Sequence, residues 1–130
     1  MKSRDRLLVL TQNVWGGVPG WERRRALLAR AIARHRPDVI GLQEVHALPC
    51  VEPVGSHPRR ADPPPPLPTQ AHELAAMLGG YTAYFAPGRR TATGASEGVA
   101  LLCNGTVRAH AIHALTLDAT DRFDREHQRV

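Results

Sequence analysis

Two short apolar runs on either side of a helical pattern constrain the fold of this chain most strongly. Residues 7–14 predict a strand that is apolar on both faces, as in a strand covered on both sides, and "WGGVPG" then breaks it. Residues 21–36 have apolar positions at helical spacing, and Pro37 disfavours helical geometry at the residue before it. Residues 38–43 predict a second buried strand. This order is that of a βαβ unit, whose two strands are expected to be parallel.

Polar residues follow both apolar runs. Asn13 ends the first predicted strand, and Glu44 directly follows the second in "RPDVIGLQEV". Because parallel neighbouring strands end at the same edge of a sheet, we expect Asn13 and Glu44 to lie close together, where open α/β sheets bind ligands. Taken alone, a Gln-Glu pair after a strand is typical of a solvated strand end, and a lone Asn is typical of a turn.

The middle of the chain predicts an insertion followed by a short helix. Residues 49–68 are rich in proline and have no period, which favours extended, solvated backbone. We interpret them as a flexible surface insertion within the domain and not as a domain boundary. Thr69 can cap a helix over residues 70–78, and the Gly-Gly pair after it is typical of a helix end.

The C-terminal third predicts further strands. Residues 81–86 and 98–103 have strand character, and "PGRRTATGASE" between them predicts a mobile loop. Glu97-Gly98 is interpreted as the end of this loop, where the Gly admits an unusual backbone angle. Asn104-Gly105 is a strong hairpin signal, which predicts an antiparallel return strand over residues 107–117. The remaining residues form a polar tail.

Charge and cysteine content narrow the classes of partner and compartment. Lys and Arg total 17 against 12 acidic residues, a net charge of +5, which favours polyanionic partners without choosing among them. Cys50 and Cys103 have no CxxC or Cys-His spacing, so they indicate neither a zinc framework nor a disulfide scaffold. The apolar run at residues 7–10 is too short for a signal peptide, and nothing later approaches a membrane span. A cytoplasmic location is therefore expected.

Five segments taken in order resemble one protein family. The strand "LTQNVWG", a basic helix, "RPDVIGLQEV", "YTAYFAPG" and "SEGVALL" are similar to the N-terminal half of the endonuclease/exonuclease/phosphatase family. That family includes abasic-site endonucleases, DNase I-like nucleases, sphingomyelinases, deadenylases and inositol polyphosphate 5-phosphatases. The resemblance covers nearly the whole chain outside the proline-rich insertion. It implies an α/β fold, here a partial four-layer α/β sandwich of the DNase I-like kind with a mixed sheet, and metal-dependent hydrolysis of phosphate esters.

The resemblance also implies a metal site. By position, Glu44 matches the family's glutamate metal ligand, and Asn13 matches the asparagine beside it that helps to hold the metal and the phosphate. The implied ion is Mg²⁺ or Mn²⁺, and Mg²⁺ is commonly bound by one or two carboxylates together with waters and substrate phosphate. The implied substrate is a phosphate ester, whether in nucleic acid, phospholipid or inositol phosphate. Substrate-binding residues remain unassigned.

The C-terminal part departs from the family pattern. The catalytic His on a following strand, the Asp-x-Asn element and the terminal Asp-His pair find no match, so catalytic residues are unknown and activity of this chain alone stays open. Residues 1–130 are interpreted as the N-terminal portion of one domain, truncated before those motifs. Unpartnered apolar sheet faces would then predict marginal stability or self-association. His46 lies near Glu44 without a motif of its own, and His110 and His113 are expected in surface or core roles.

Two other interpretations stay open. A non-catalytic basic fragment would bind nucleic acid without metal, independently of sequence and with strong salt dependence. The arginines that would carry such binding are Arg23, Arg24, Arg30 and Arg34 on the first helix, with Arg89 and Arg90 in the loop. The chain could also be a remnant without function.

Overall fold

A mixed sheet with helices packed on one face forms the part of the protein that the computed structural model describes, residues 6–47, 68–90 and 96–113. The four strands follow the order β1-β2-β4-β3. β1 pairs with β2 in parallel, whereas β4 pairs antiparallel with both β2 and β3. The parallel βαβ unit and the mixed α/β sheet predicted from the sequence are therefore confirmed. The elements are β1 (Val9–Asn13), α1 (Trp21–His35), β2 (Val39–His46), α2 (Gln70–Leu78), β3 (Tyr81–Arg90) and β4 (Ser96–Asn104).

Alternate residues of the central strands form the core with the two helices. Ile40 and Leu42 of β2 and Leu102 of β4 are fully buried against Ile32 of α1 and Leu74 of α2. Each such side chain contributes about 1.5–3 kcal/mol by leaving water. This core fixes β2 in the middle of the sheet and so determines where its C-terminal end lies.

β1 is less covered than its sequence predicts. Leu7, Leu8 and Val9 keep 68%, 50% and 60% of their surface exposed, so the expectation of a strand buried on both faces is wrong. β1 is an outer strand of the described sheet, with β2 as its neighbour on one side, and Leu10 is the residue through which it packs on the core. A run of apolar residues specifies a strand but not its place in the sheet.

Pro37 ends α1 as predicted. The helix stops at His35, and Arg36 adopts a left-handed conformation with φ of 46° while its N–H donates to Ile32 O at 2.7 Å. Pro37 itself is fully buried, and its carbonyl oxygen accepts a hydrogen bond of 2.7 Å from the Tyr81 hydroxyl. The junction between α1 and β2 is thereby tied to the start of β3.

Replacing Tyr81 with Phe is expected to lower the free energy of unfolding by about 1 kcal/mol, because the buried Pro37 carbonyl loses its donor. Burial raises the pKa of the Tyr81 phenol above its ordinary value of about 10. A group whose pKa is raised by folding stabilises the protein below its unfolded pKa, and that contribution is lost as pH rises through the folded pKa. Urea unfolding of wild type and Y81F at pH 7 measures the loss of the hydrogen bond. Urea unfolding of the wild type at pH 7 and above pH 10 measures the stability that is lost as the phenol ionises. Equal midpoints for Y81F and wild type at pH 7 would contradict the assigned hydrogen bond.

α2 begins and ends as the sequence predicts. The Thr69 hydroxyl accepts from His72 N–H, and His72 Nδ1 lies 3.3 Å from Thr69 N, which forms a capping box. Gly79 follows the last helical residue, and its N–H donates to Ala75 O. The proline-rich insertion lies almost wholly outside the described residues, so its prediction stays untested. Among the residues that the structure describes, no helix is long and apolar enough to cross a membrane.

The C-terminal strands differ from the predicted ones. β3 continues to Arg90 and β4 begins at Ser96, so much of the predicted mobile loop is strand. The return strand predicted over residues 107–117 is wrong for its described part, because residues 107–113 form no strand. β4 already has β2 and β3 on its two sides, so no edge is left for a hairpin partner.

Residues 107–113 instead border a groove on the sheet face opposite the helices. The groove has a volume of about 710 Å³ and is lined mainly by apolar side chains, and the His110 ring lies 4.5 Å from the Tyr84 ring. Leu101 of β4, which is one of the lining residues, is 49% exposed. Self-association through this face stays a prediction. His110 and His113 lie exposed on this segment, and the expectation of a surface or core role for them stays a prediction.

Candidate functional site

Glu44 lies in a β-bulge and not after the end of a strand. Leu42 pairs with Ala100 and Val45 pairs with Gly98, so two residues of β2 oppose one residue of β4. Glu44 has a φ of 54°, a left-handed conformation that is uncommon for a residue with a side chain. The strand predicted to end at residue 43 therefore continues to His46. Bulges of this kind re-aim side chains and are frequent beside functional sites.

The end of β1 brings Asn13 to the same place. Asn13 pairs with Gln43 in the parallel ladder, which puts it one register position from Glu44, and Val14 N–H donates to Gln43 O at 2.9 Å. Asn13 Oδ1 accepts a hydrogen bond of 2.8 Å from Trp15 N–H. The register thus places the backbones of Asn13 and Glu44 close together, as the sequence predicts. Their role as metal ligands is a separate matter and stays a prediction.

The loop after β1 contacts the bulge through its backbone. Gly16 N–H donates to Glu44 O at 2.9 Å. A Cβ atom on Gly16 would overlap the Glu44 carbonyl oxygen and would lie 2.7 Å from Gln70 Oε1 and 2.8 Å from His46 Cδ2. Glycine is therefore required at position 16 by close approach, and the loop and the bulge form one unit.

Gln70 joins this unit from the first turn of α2. Its side chain is almost completely buried, at 3% exposed. Gln70 Oε1 accepts from His46 N–H at 3.0 Å, and Gln70 Nε2 donates to Gly16 O at 3.2 Å. Gln70 was not among the site residues predicted from the sequence. The available signal was a long polar side chain on the same buried helix face as Ala71 and Leu74.

A second polar pair borders the bulge. His46 Nε2 and Glu97 Oε2 are 2.8 Å apart, and their side chains are only 17% and 18% exposed. The imidazole lies against the loop, since a Cβ on Gly17 would be 3.2 Å from His46 Cε1. The imidazole of His46, which has no motif of its own, is thus held beside the bulge by Glu97, a residue far along the chain. Gly98 is explained by close approach to Ala86 O and not by an unusual backbone angle.

This edge carries a carboxylate and an amide oxygen, which are ligand types that Mg²⁺ prefers. Glu44 supplies a carboxylate, and Asn13 Oδ1 has a second lone pair beyond the one that accepts from Trp15. Among the described residues, no group of three or more His, Cys, Asp or Glu side chains could hold a metal ion. That composition does not match a structural zinc site, which needs four nitrogen or sulfur ligands. It matches the sparse oxygen set with which proteins bind Mg²⁺, the rest of the shell being water and phosphate.

Arg24 supports the loop and is not a free cation. Its guanidinium donates to three backbone carbonyls, Pro19 O at 2.6 Å, Val18 O at 2.8 Å and Trp15 O at 3.0 Å. A contribution of Arg24 to nucleic-acid binding stays a prediction. The other helix arginines proposed for such binding are exposed on α1, namely Arg23, Arg30 and Arg34. The side chains of Arg89 and Arg90 lie outside the described part.

Comparison with known proteins decides the family. Residues 10–129, which are nearly the whole chain, match the model of the endonuclease/exonuclease/phosphatase family. The chain belongs to this family. The predicted family membership is thereby confirmed, and phosphoesterase or nuclease chemistry is the activity class that the family carries.

A solved structure agrees with the fold. An endonuclease/exonuclease/phosphatase family protein from Leptotrichia buccalis C-1013-b is similar at a TM-score of 0.59 and 24% sequence identity. The match covers 80% of this chain and 40% of that chain, so the matched part spans less than half of that protein's length. The similarity confirms the DNase I-like α/β fold class. No curated protein matches the chain.

Proposed function

We propose that this chain supplies the metal-binding edge of a phosphoesterase active centre, with Glu44 and Asn13 holding Mg²⁺ or Mn²⁺. The observation that carries the proposal is the bulge, which holds Glu44 in a left-handed conformation one register position from Asn13. Strained backbone of this kind persists only where surrounding contacts determine it, and here Gly16 and Gln70 provide them. Family membership supplies the reaction class.

The residues of this edge would divide the work by their chemistry. The Glu44 carboxylate offers negative charge to the ion, and the Asn13 amide offers a neutral oxygen on one side and N–H donors to a phosphate oxygen on the other. When bound, the ion would act as a Lewis acid that polarises a phosphoryl oxygen. The net charge of +5 favours approach of an anionic phosphate ester.

The finer parts of the proposal follow from the sequence. The substrate is a phosphate ester, with nucleic acid, phospholipid and inositol phosphate left open. The described residues are proposed to correspond to the N-terminal portion of the family's domain, and the catalytic groups stay unassigned. Full catalysis would then need groups beyond those assigned here.

Hydrolysis of bis(p-nitrophenyl) phosphate by the full chain tests the proposed reaction. Any p-nitrophenol release above the buffer blank should require Mg²⁺ or Mn²⁺. It should stop when EDTA is added, and it should be absent in Glu44→Gln. The matched control is Glu22→Gln, which removes the same charge from the exposed first turn of α1 and should leave the rate unchanged. Hydrolysis that survives EDTA, or full activity in Glu44→Gln, would contradict the proposal.

A further inference from the structure

Gln70 occupies a position that ordinary helix packing does not explain. A carboxamide at 3% exposure must satisfy its polar atoms inside the protein, because a buried unpaired group costs about 1–3 kcal/mol. Both of its polar atoms are bonded to backbone, and the two backbone groups belong to different segments. One is Gly16 O in the loop after β1, and the other is His46 N–H in the strand after the bulge.

These two bonds bracket Glu44 from both sides. Gly16 is bonded to Glu44 O through its N–H and to Gln70 through its carbonyl oxygen, while His46 lies two residues after Glu44. A chain of three hydrogen bonds therefore runs from Glu44 through Gly16 and Gln70 to His46. This chain of hydrogen bonds surrounds Glu44, whose left-handed backbone conformation orients the proposed metal ligand.

We propose that Gln70 is a positioning residue of the metal site, which acts by holding the backbone of Glu44 in the conformation that binds the ion. This inference rests on the proposed function of Glu44. Gln70 contacts backbone groups and not the ion or the substrate. Outer-shell groups that orient metal ligands typically change metal affinity by about 10–100-fold when they are removed.

The proposal is tested by Mn²⁺ titration of the full chain followed by calorimetry. Gln70→Met keeps the length of the side chain and removes both hydrogen bonds, and Gln70→Asn keeps the amide but is one methylene too short to reach both partners. We expect each variant to bind Mn²⁺ about tenfold or more weakly than wild type. Tyr81→Phe is the stability control, because it also loses a hydrogen bond, but its partner Pro37 precedes the start of β2 and so lies far from the bulge.

A readout in the metal-free protein separates positioning from general destabilisation. Exchange of the Gly16 amide proton, which is bonded to Glu44 O, should accelerate in Gln70→Met relative to Tyr81→Phe. If Gln70→Met unfolds, Gln70→Asn provides the same two measurements. Mn²⁺ affinity within twofold of wild type in the Gln70 variants, with binding lost in Glu44→Gln, would overturn this inference alone. Unchanged binding in Glu44→Gln would overturn both it and the metal assignment.

Discussion

Replacement of Gly16 by Ala is expected to destabilise the protein by about 3 kcal/mol, at the upper end of what overpacking costs. The added methyl group would overlap the Glu44 carbonyl oxygen, which is backbone and cannot rotate away, and would press on Gln70 Oε1. The Gly16–Glu44 hydrogen bond would be lost with it. For a domain of this size the midpoint of thermal unfolding should fall by about 10 °C.

Gly41→Ala is the matched control for that substitution. A Cβ at Gly41 meets its nearest atoms at 3.8 Å and 4.0 Å, which is ordinary van der Waals contact. Gly41 lies within β2, so this change should leave stability unchanged or raise it by up to about 1 kcal/mol through the unfolded chain. Thermal melts followed by circular dichroism compare the two variants. A Gly16→Ala variant that melts within about 2 °C of the control would show that the loop after β1 does not pack closely against the bulge.

Local signals in the sequence were sufficient for the elements that depend on local chemistry. Pro37 stops α1 by restricting the residue before it, and Thr69 begins α2 by accepting a backbone hydrogen bond three residues on. The parallel pairing of β1 with β2 follows from the helix between them. For these reasons Asn13 and Glu44 could be placed at one sheet edge before the structure was known.

Features set by long-range pairing could not be predicted in the same way. The bulge at Glu44 exists because β4 aligns with β2 on both sides of it, and β4 lies some fifty residues further along the chain. The wrong hairpin has the same origin, since Asn104-Gly105 signals a turn but cannot show that β3 already occupies the edge. Gln70 was missed because its partners, Gly16 and His46, are brought to it by tertiary packing.

Glu44→Gln is expected to weaken Mn²⁺ binding by more than about 30-fold, a loss of about 2 kcal/mol. The substitution keeps the size of the side chain and removes the charge. An attraction between opposite unit charges at 4 Å is worth about 4 kcal/mol near a protein surface, and the ion carries two charges, so even a screened contact is large. Glu22→Gln removes an equal charge from the exposed start of α1 and should leave the affinity unchanged. Calorimetric titration of both variants at one ionic strength measures the difference.

The central claim, that Asn13 and Glu44 hold a divalent ion at the edge of the sheet, is tested most directly by paramagnetic line broadening. Substoichiometric Mn²⁺ is added to the ¹⁵N-labelled full chain, and the loss of each backbone amide signal is recorded. We expect the broadening to centre on Asn13 and its β2 neighbours Gln43 and Glu44, to persist in Glu22→Gln, and to disappear in Glu44→Gln. Broadening centred elsewhere, or the same pattern in Glu44→Gln, would contradict the assignment of this edge as the metal site.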